Sequence, residues 1–123
     1  MRPLIYVAGP LSELPIVYLG WLAKMNDEAL WLFQGGWAPV IPGNDLLFCY
    51  RSPILLSKND LLEIDRSLIS ACFAMRVLSK EHENGKPSEG VLYEIEVARE
   101  CGVKVCYTRE EVNHAMHQYR GGL

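Results

Sequence analysis

The sequence predicts an α/β domain built on a Rossmann-like (flavodoxin-like), doubly wound parallel sheet of four to five strands. Two observations carry that prediction. Short, largely apolar runs recur at Leu4–Ala8, Trp37–Ile41, Cys72–Leu78 and Val103–Tyr107, interrupted by charge only at Arg76 and Lys104, as expected of strands buried in a parallel sheet. Between them lie segments with helical periodicity, and an alternating β-α order builds a parallel sheet with helices on both sides. At 123 residues the chain is long enough for one domain with one core and no staples, so a single domain over 1–123 is expected.

Composition narrows the function classes. Half the residues are hydrophobic and 22% are charged, an ordinary globular balance. A net charge of -3 leaves no basic footprint for a nucleic-acid polymer, although a free nucleoside or nucleotide needs only local donors. Cys49, Cys72, Cys101 and Cys106 form no C-x-x-C pair, and read as reduced, buried thiols of a cytoplasmic protein. The first apolar run ends at Gly9-Pro10 with Ser12-Glu13 following, so a secretory leader is not expected. No window reaches the roughly 18 apolar residues of a membrane span.

In chain order, Leu4–Ala8 is a central strand ended by Gly9-Pro10. Gly9–Ser12 is then the loop at its carboxyl end, where open α/β sheets bind ligands. Tyr6, taken alone, is a core aromatic. Residues 14–35 read as a helix with apolar positions Ile16, Leu19, Leu22, Ala23, Ala29, Leu30 and Phe33, closed by Gly35-Gly36. Its first half, including Tyr18 and Trp21, is more apolar than one core face requires, which predicts a contact with a second copy. Trp37–Pro42 is the second strand with its proline-ended loop. Phe48, Cys49, Tyr50 and Arg51 follow, in a region placed over the ligand crevice.

Asn59–Ala71 is a helix with Asp60, Glu63 and Asp65 projecting from it, which as a charge run reads as a solvated face. Cys72–Leu78 is the third strand. Ser79–Pro87 is polar and longer than a tight turn, hence a candidate lid. The tail from Arg109 to Arg120 is a last helix. Its His114-x-x-His117 spacing has no third ligand nearby, so no metal is expected.

Lys86–Gly102 is the stretch of most consequence. Pro87 stops the preceding segment, Ser88 is an N-cap and Gly102 closes the last turn. At roughly 100° per residue Val91, Ile95 and Ala98 share a core stripe, whereas Tyr93, Glu96 and Glu100 fall opposite, towards solvent. Glu94 lands at the edge of the buried arc. A carboxylate there is either paired, extended to water, or used.

Ser88-x-Gly90-Val91-x-Tyr93-Glu94, followed by Ala98 and the Val103–Tyr107 run, resembles the nucleoside 2-deoxyribosyltransferase-like superfamily, which includes the 2′-deoxynucleoside 5′-phosphate N-hydrolases and small phage and bacterial relatives. The Tyr6–Pro10 strand and loop match the same pattern. The resemblance implies N-glycosidic bond cleavage in a nucleoside or its 5′-monophosphate, by hydrolysis or transfer, without cofactor. It implies Glu94 as nucleophile at the anomeric carbon, Tyr6 as its orienter, and Asp65 as a sugar contact or general acid/base. Ala8, Gly9, Pro10 and Ser12 would line the substrate, and Ser88 and Gly90 would hold its 5′ end. It also implies a homo-oligomer whose sites are completed by a neighbour. One position departs from the pattern: an Ala-Asp pair opens the family's third strand, and Ala71-Cys72 stands here. That departure keeps two rivals in play. One is a non-catalytic sensor or sponge for a nucleotide or ADP-ribose-type ligand, and the other a structural subunit assembled through residues 14–33.

Overall fold

A computed structural model describes residues 1–11, 15–45 and 58–122. Nine elements follow in order: β1 (Leu4–Ala8), α1 (Pro15–Gln34), β2 (Ala38–Val40), a 3-10 turn (Pro42–Asp45), α2 (Lys58–Ser70), β3 (Ala74–Val77), α3 (Glu89–Glu100), β4 (Lys104–Cys106) and α4 (Arg109–Gly121). The strands form one parallel sheet in the order β2-β1-β3-β4. The chain steps outward from β1 to β2, then returns across β1 to β3. This reversal opens a crevice at the carboxyl ends of β1 and β3.

Alternation along β1 builds both layers. Ile5 and Val7 point to the α1/α4 side, where they pack with Met25, Leu32, Trp37, Val112 and Met116. Tyr6 and Ala8 point to the α2/α3 side, with Ile69, Met75, Val77, Val91, Ile95 and Ala98. All four are 0–1% exposed, as a central parallel strand requires. Each large aliphatic side chain buried this way stabilises the fold by about 1.5–3 kcal/mol.

The strands are shorter than the apolar runs that mark them. Trp37 and Cys72 flank the sheet and fill the core without joining a ladder. In α3 the Val91, Ile95, Ala98 stripe is buried as expected, and Gly102 takes φ +72° beyond the helix end, donating to the Arg99 carbonyl.

Three expectations need correction. Tyr93, placed with Glu96 and Glu100 towards solvent, is half-buried against the α2/α3 core, because α2 packs beside α3 and covers that edge of the helix. Cys101 is exposed while Cys72 and Cys106 are buried, since position 101 falls past the last turn of α3; Cys49 lies outside the described residues. The buried face of α1 is Met25, Glu28, Ala29 and Leu32, so Ala23 and most of the apolar positions expected to face the core are left in solvent.

A buried ion cluster accounts for that rotation of α1. Arg76 sits inside the otherwise apolar β3, and Glu28 turns inward to meet it at 3.0 Å. Arg109, opening α4, reaches the other Glu28 oxygen at 3.0 Å while its guanidinium lies over the Trp31 ring. Arg76 also donates to the carbonyls of Val77 and Tyr107 at 2.8 and 2.7 Å. One carboxylate thus ties α1, β3 and α4 together.

Candidate active site

The site lies at the carboxyl end of β1. Because Tyr6 is even-numbered in a strand whose odd positions face α1, its ring runs beneath α3, and its hydroxyl donates to Glu94 Oε2. Glu94 is in the second turn of α3, half-buried. Asp65, half-buried in the middle of α2, lines the same cleft.

Electrostatics follow from this enclosure. Burial pushes the Glu94 carboxyl up to about 8; the Tyr6 hydrogen bond works against the rise, and the charge of Asp65 adds to it. Burial, then the charges of Glu94 and Asp65, drive the Tyr6 phenol far above its ordinary value. Tyr6 therefore keeps its proton and acts only as a donor. Such a carboxyl, held by one fixed donor beside a second acid, is suited to meeting developing positive charge or to attacking carbon.

The cleft has a volume of about 620 Å³. Gly9 and Leu11 form one wall, and Ser88, Gly90, Val91 and Glu94 of α3 form the floor. Ser88 is buried; its Oγ accepts from the Val91 N–H at 3.3 Å and its own N–H donates to Lys80 O at 2.8 Å. It caps the helix, a contribution of about 1 kcal/mol. A Cβ added at Gly90 would meet only Ser88 Oγ, at 4.0 Å, so glycine there keeps the floor bare.

The third wall is a tight loop over residues 79–87. Ser79 Oγ donates to Glu81 O at 2.8 Å, His82 N–H to Lys86 O at 2.8 Å, and Gly85 N–H to His82 O at 2.9 Å with Gly85 at φ +81°. An antiparallel bridge joins Glu81 and Pro87. His82, Asn84, Lys86, Pro87 and Glu89 line the cleft. Glu83 turns the other way and accepts from Trp21 Nε1 at 2.9 Å.

Of the residues named from sequence, the structure brings Tyr6, Asp65, Glu94, Gly9, Ser88 and Gly90 to this one place. It does not bring Ala8 and Pro10 to the cleft lining; both are buried at the strand end, where Ala8 O accepts from Leu78 N–H. Ser12, like Phe48–Arg51, lies outside the described residues. Leu11 belongs to the Gly9–Ser12 loop expected to bind a ligand, and His82 and Asn84 to the Ser79–Pro87 segment expected as a lid, but none of the three is singled out by the sequence. The alternation of Glu81, Glu83 with His82, Asn84, Lys86 is the signal that marks two faces of that loop. Cys72, at the position of the pattern's second aspartate, is buried, its thiol donating to Leu68 O at 3.2 Å and pushed up to about 11 by burial, so it is an inert core thiol.

Among the described residues no three His, Cys, Asp or Glu side chains converge as a metal site, and His114 and His117 are both exposed. No helix of the described residues is long and apolar enough to cross a membrane.

Neither family models nor curated proteins match the chain. Among solved structures it is similar to a 2-desoxiribosyltransferase from Leishmania mexicana, with a TM-score of 0.61 and 19% identity. The match covers 84% of this chain and 61% of that one, so the chain spans less than two thirds of the protein it resembles. The chain thus shares the fold of that 2-desoxiribosyltransferase, with a four-stranded parallel sheet in the order β2-β1-β3-β4.

Proposed function

We propose that this protein cleaves the N-glycosidic bond of a 2′-deoxynucleoside or its 5′-monophosphate, with Glu94 as nucleophile at C1′ and water or a second base as acceptor. The observation that carries the reading is the Glu94 carboxyl gripped by the buried Tyr6 phenol, with Asp65 beside it in a cleft of nucleotide size. Glycosidic cleavage passes through an oxocarbenium-like transition state, which a carboxylate under the anomeric carbon stabilises and then traps. Asp65 is assigned to the sugar hydroxyls. The likeness in fold to the Leishmania 2-desoxiribosyltransferase supports the same chemistry. We place the reaction in the cytoplasm, in keeping with the free thiols of Cys72, Cys101 and Cys106. The test is to incubate the protein with deoxynucleosides and their monophosphates and follow released base by chromatography; no release from any of them overturns the reading.

The second reading is a binding module that holds such a ligand without cleaving it. Cys72 in place of an acid is the observation that favours it. Saturable binding of a monophosphate by calorimetry, with no base released over hours, would select it.

The 5′ end is assigned to Ser88 and the first amides of α3, where a helix N-terminus favours an anion, with Lys86 adding positive charge. A charge-assisted contact of about 1.5–3 kcal/mol makes the monophosphate the better substrate by roughly ten- to hundredfold in kcat/KM. In Ser88→Ala that ratio is expected to collapse; an unchanged ratio leaves Ser88 as a helix cap only.

We assign self-association to α1. Ile16, Leu19, Leu30 and Phe33 are 83, 59, 60 and 51% exposed, and with Ala23 they follow an a/d heptad spacing along one face. Tyr18, hydrogen-bonded to Gly43 O, and Trp21, bonded to Glu83, belong to the protein's own packing and not to this stripe. The wild type is expected to sediment as a dimer or larger at micromolar concentration, and Leu19→Glu or Leu30→Glu to lower the assembly state. A monomeric wild type overturns the assignment.

A further inference from the structure

Departure of a nucleobase leaves an electron pair on its ring nitrogen, so the base leaves readily only if a proton reaches it. Glu94 cannot supply that proton while attacking as a carboxylate. Tyr6 holds its proton, and Asp65 shares the field of Glu94 at the sugar end. The 79–87 loop lines the same cleft with His82, Asn84, Lys86 and Pro87, three of which carry N–H donors. Neither of its acidic residues, Glu81 and Glu83, lines the cleft; Glu83 accepts from Trp21, and Trp21 packs near Gly9, so this bond ties the loop to the Gly9 wall. His82 N–H donates to Lys86 O, and Gly85 N–H donates to His82 O, which fixes the backbone that carries the imidazole. The ring is half-buried in the cleft, and among the described residues it has no hydrogen-bond partner. An imidazole so placed is built to meet a ligand, and imidazole is the side chain best able to give and retake a proton near neutral pH.

We infer that His82 is a further catalytic residue of the reaction proposed above, protonating the departing base. The inference rests on that reading. For a purine, a Glu94 oxygen forms its bond to C1′ as the C1′–N9 bond breaks, the pair passing to the ring. The imidazolium N–H of His82 delivers its proton to N7, and the base leaves neutral. Water then attacks C1′ and gives its proton to His82; the Glu94 oxygen leaves with its electron pair, and deoxyribose or its 5-phosphate is released. Protons and electrons balance over the cycle, and both groups return to their starting states.

The experiment compares 2′-deoxyguanosine 5′-monophosphate with its 7-methyl derivative, whose already cationic base leaves without a further proton. Wild type, His82→Asn and Glu94→Gln are assayed on both, with the uncatalysed rate subtracted and folding checked by thermal melts. His82→Asn is expected to lose about 10²–10³-fold in kcat/KM on the unmethylated substrate and no more than about threefold on the methylated one. Glu94→Gln is expected to lose both. Equal losses in His82→Asn, or none on either substrate, overturn the role of His82 while leaving the glycosidase reading intact. Absence of base release by wild type from both guanine substrates, with another deoxynucleotide of the panel cleaved, overturns the purine N7 role of His82 and leaves the glycosidase reading intact; release from no member of the panel overturns both. If His82→Asn melts early, His82→Gln is read in its place by the same ratio.

Discussion

Glu94→Gln is expected to abolish base release, lowering kcat/KM by at least about 10³-fold, while the protein stays folded. The amide can still accept the Tyr6 hydrogen bond, so what is lost is the negative oxygen that would bond to C1′. A folded variant with full activity would remove the nucleophile assignment, and Glu96→Ala, on the exposed face of α3, is the control that should change little. The same carboxyl has two pH signatures. On the 7-methyl substrate, whose base needs no proton from His82, kcat/KM of the wild type should rise with pH through about 8 as the carboxylate forms. Stability moves the other way: with a folded value above the unfolded one, Glu94 contributes most below its ordinary carboxylate range, and that contribution is lost as pH rises through about 8. At pH 9 Glu94→Gln should therefore be more stable than wild type by on the order of 2–4 kcal/mol in urea denaturation.

Glu28→Gln is expected to be the most damaging substitution for stability outside the apolar core. It leaves the Arg76 guanidinium buried without a counter-charge, a change that costs about 3–5 kcal/mol, or roughly 10–20 °C in Tm for a domain of this size. Burial by itself would raise the Glu28 carboxyl; the hydrogen bonds from Arg109 and Arg76, with their charges, outweigh it and hold the group below the usual carboxylate range. Its contribution is then complete above the unfolded value and lost as pH falls through the folded one. Urea denaturation of both proteins from neutral to acid pH measures this: the gap between them should narrow as the pH drops. A gap below about 1 kcal/mol at pH 7 would mean the cluster is not structural.

These two carboxylates show what the sequence discloses. Glu94 was visible because helical phase put it beside Val91, Ile95 and Ala98, where a charge is out of place. Its bond to Tyr6 spans 88 positions and came from the S-x-G…E resemblance, not from periodicity. Glu28 was as legible in principle. It follows Met25 by three residues and precedes Leu32 by four, and a lone Arg76 inside an apolar strand requires a counter-ion. The more numerous apolar residues Ile16, Leu19, Leu30 and Phe33 outvoted that phase, because counting apolar residues cannot tell a core stripe from a contact stripe. The inward face of the 79–87 loop was hidden for another reason: its fold depends on side-chain to backbone bonds such as Asn84 Oδ1 accepting from Lys86 N–H.

The placement of Pro39 in β2 has a bearing on how the protein behaves when concentrated. In β2 the Ala38 N–H points inward to Pro3 O, so the next residue's nitrogen faces the open side of the sheet. Proline at that position sacrifices no internal bond and denies an incoming strand the donor it would need. At the opposite margin β4 is only three residues long and opens with Lys104, whose charge and brevity discourage strand addition there. Both margins of the sheet are thereby protected against runaway amyloid-like stacking, and any growth in particle size is left to the helices.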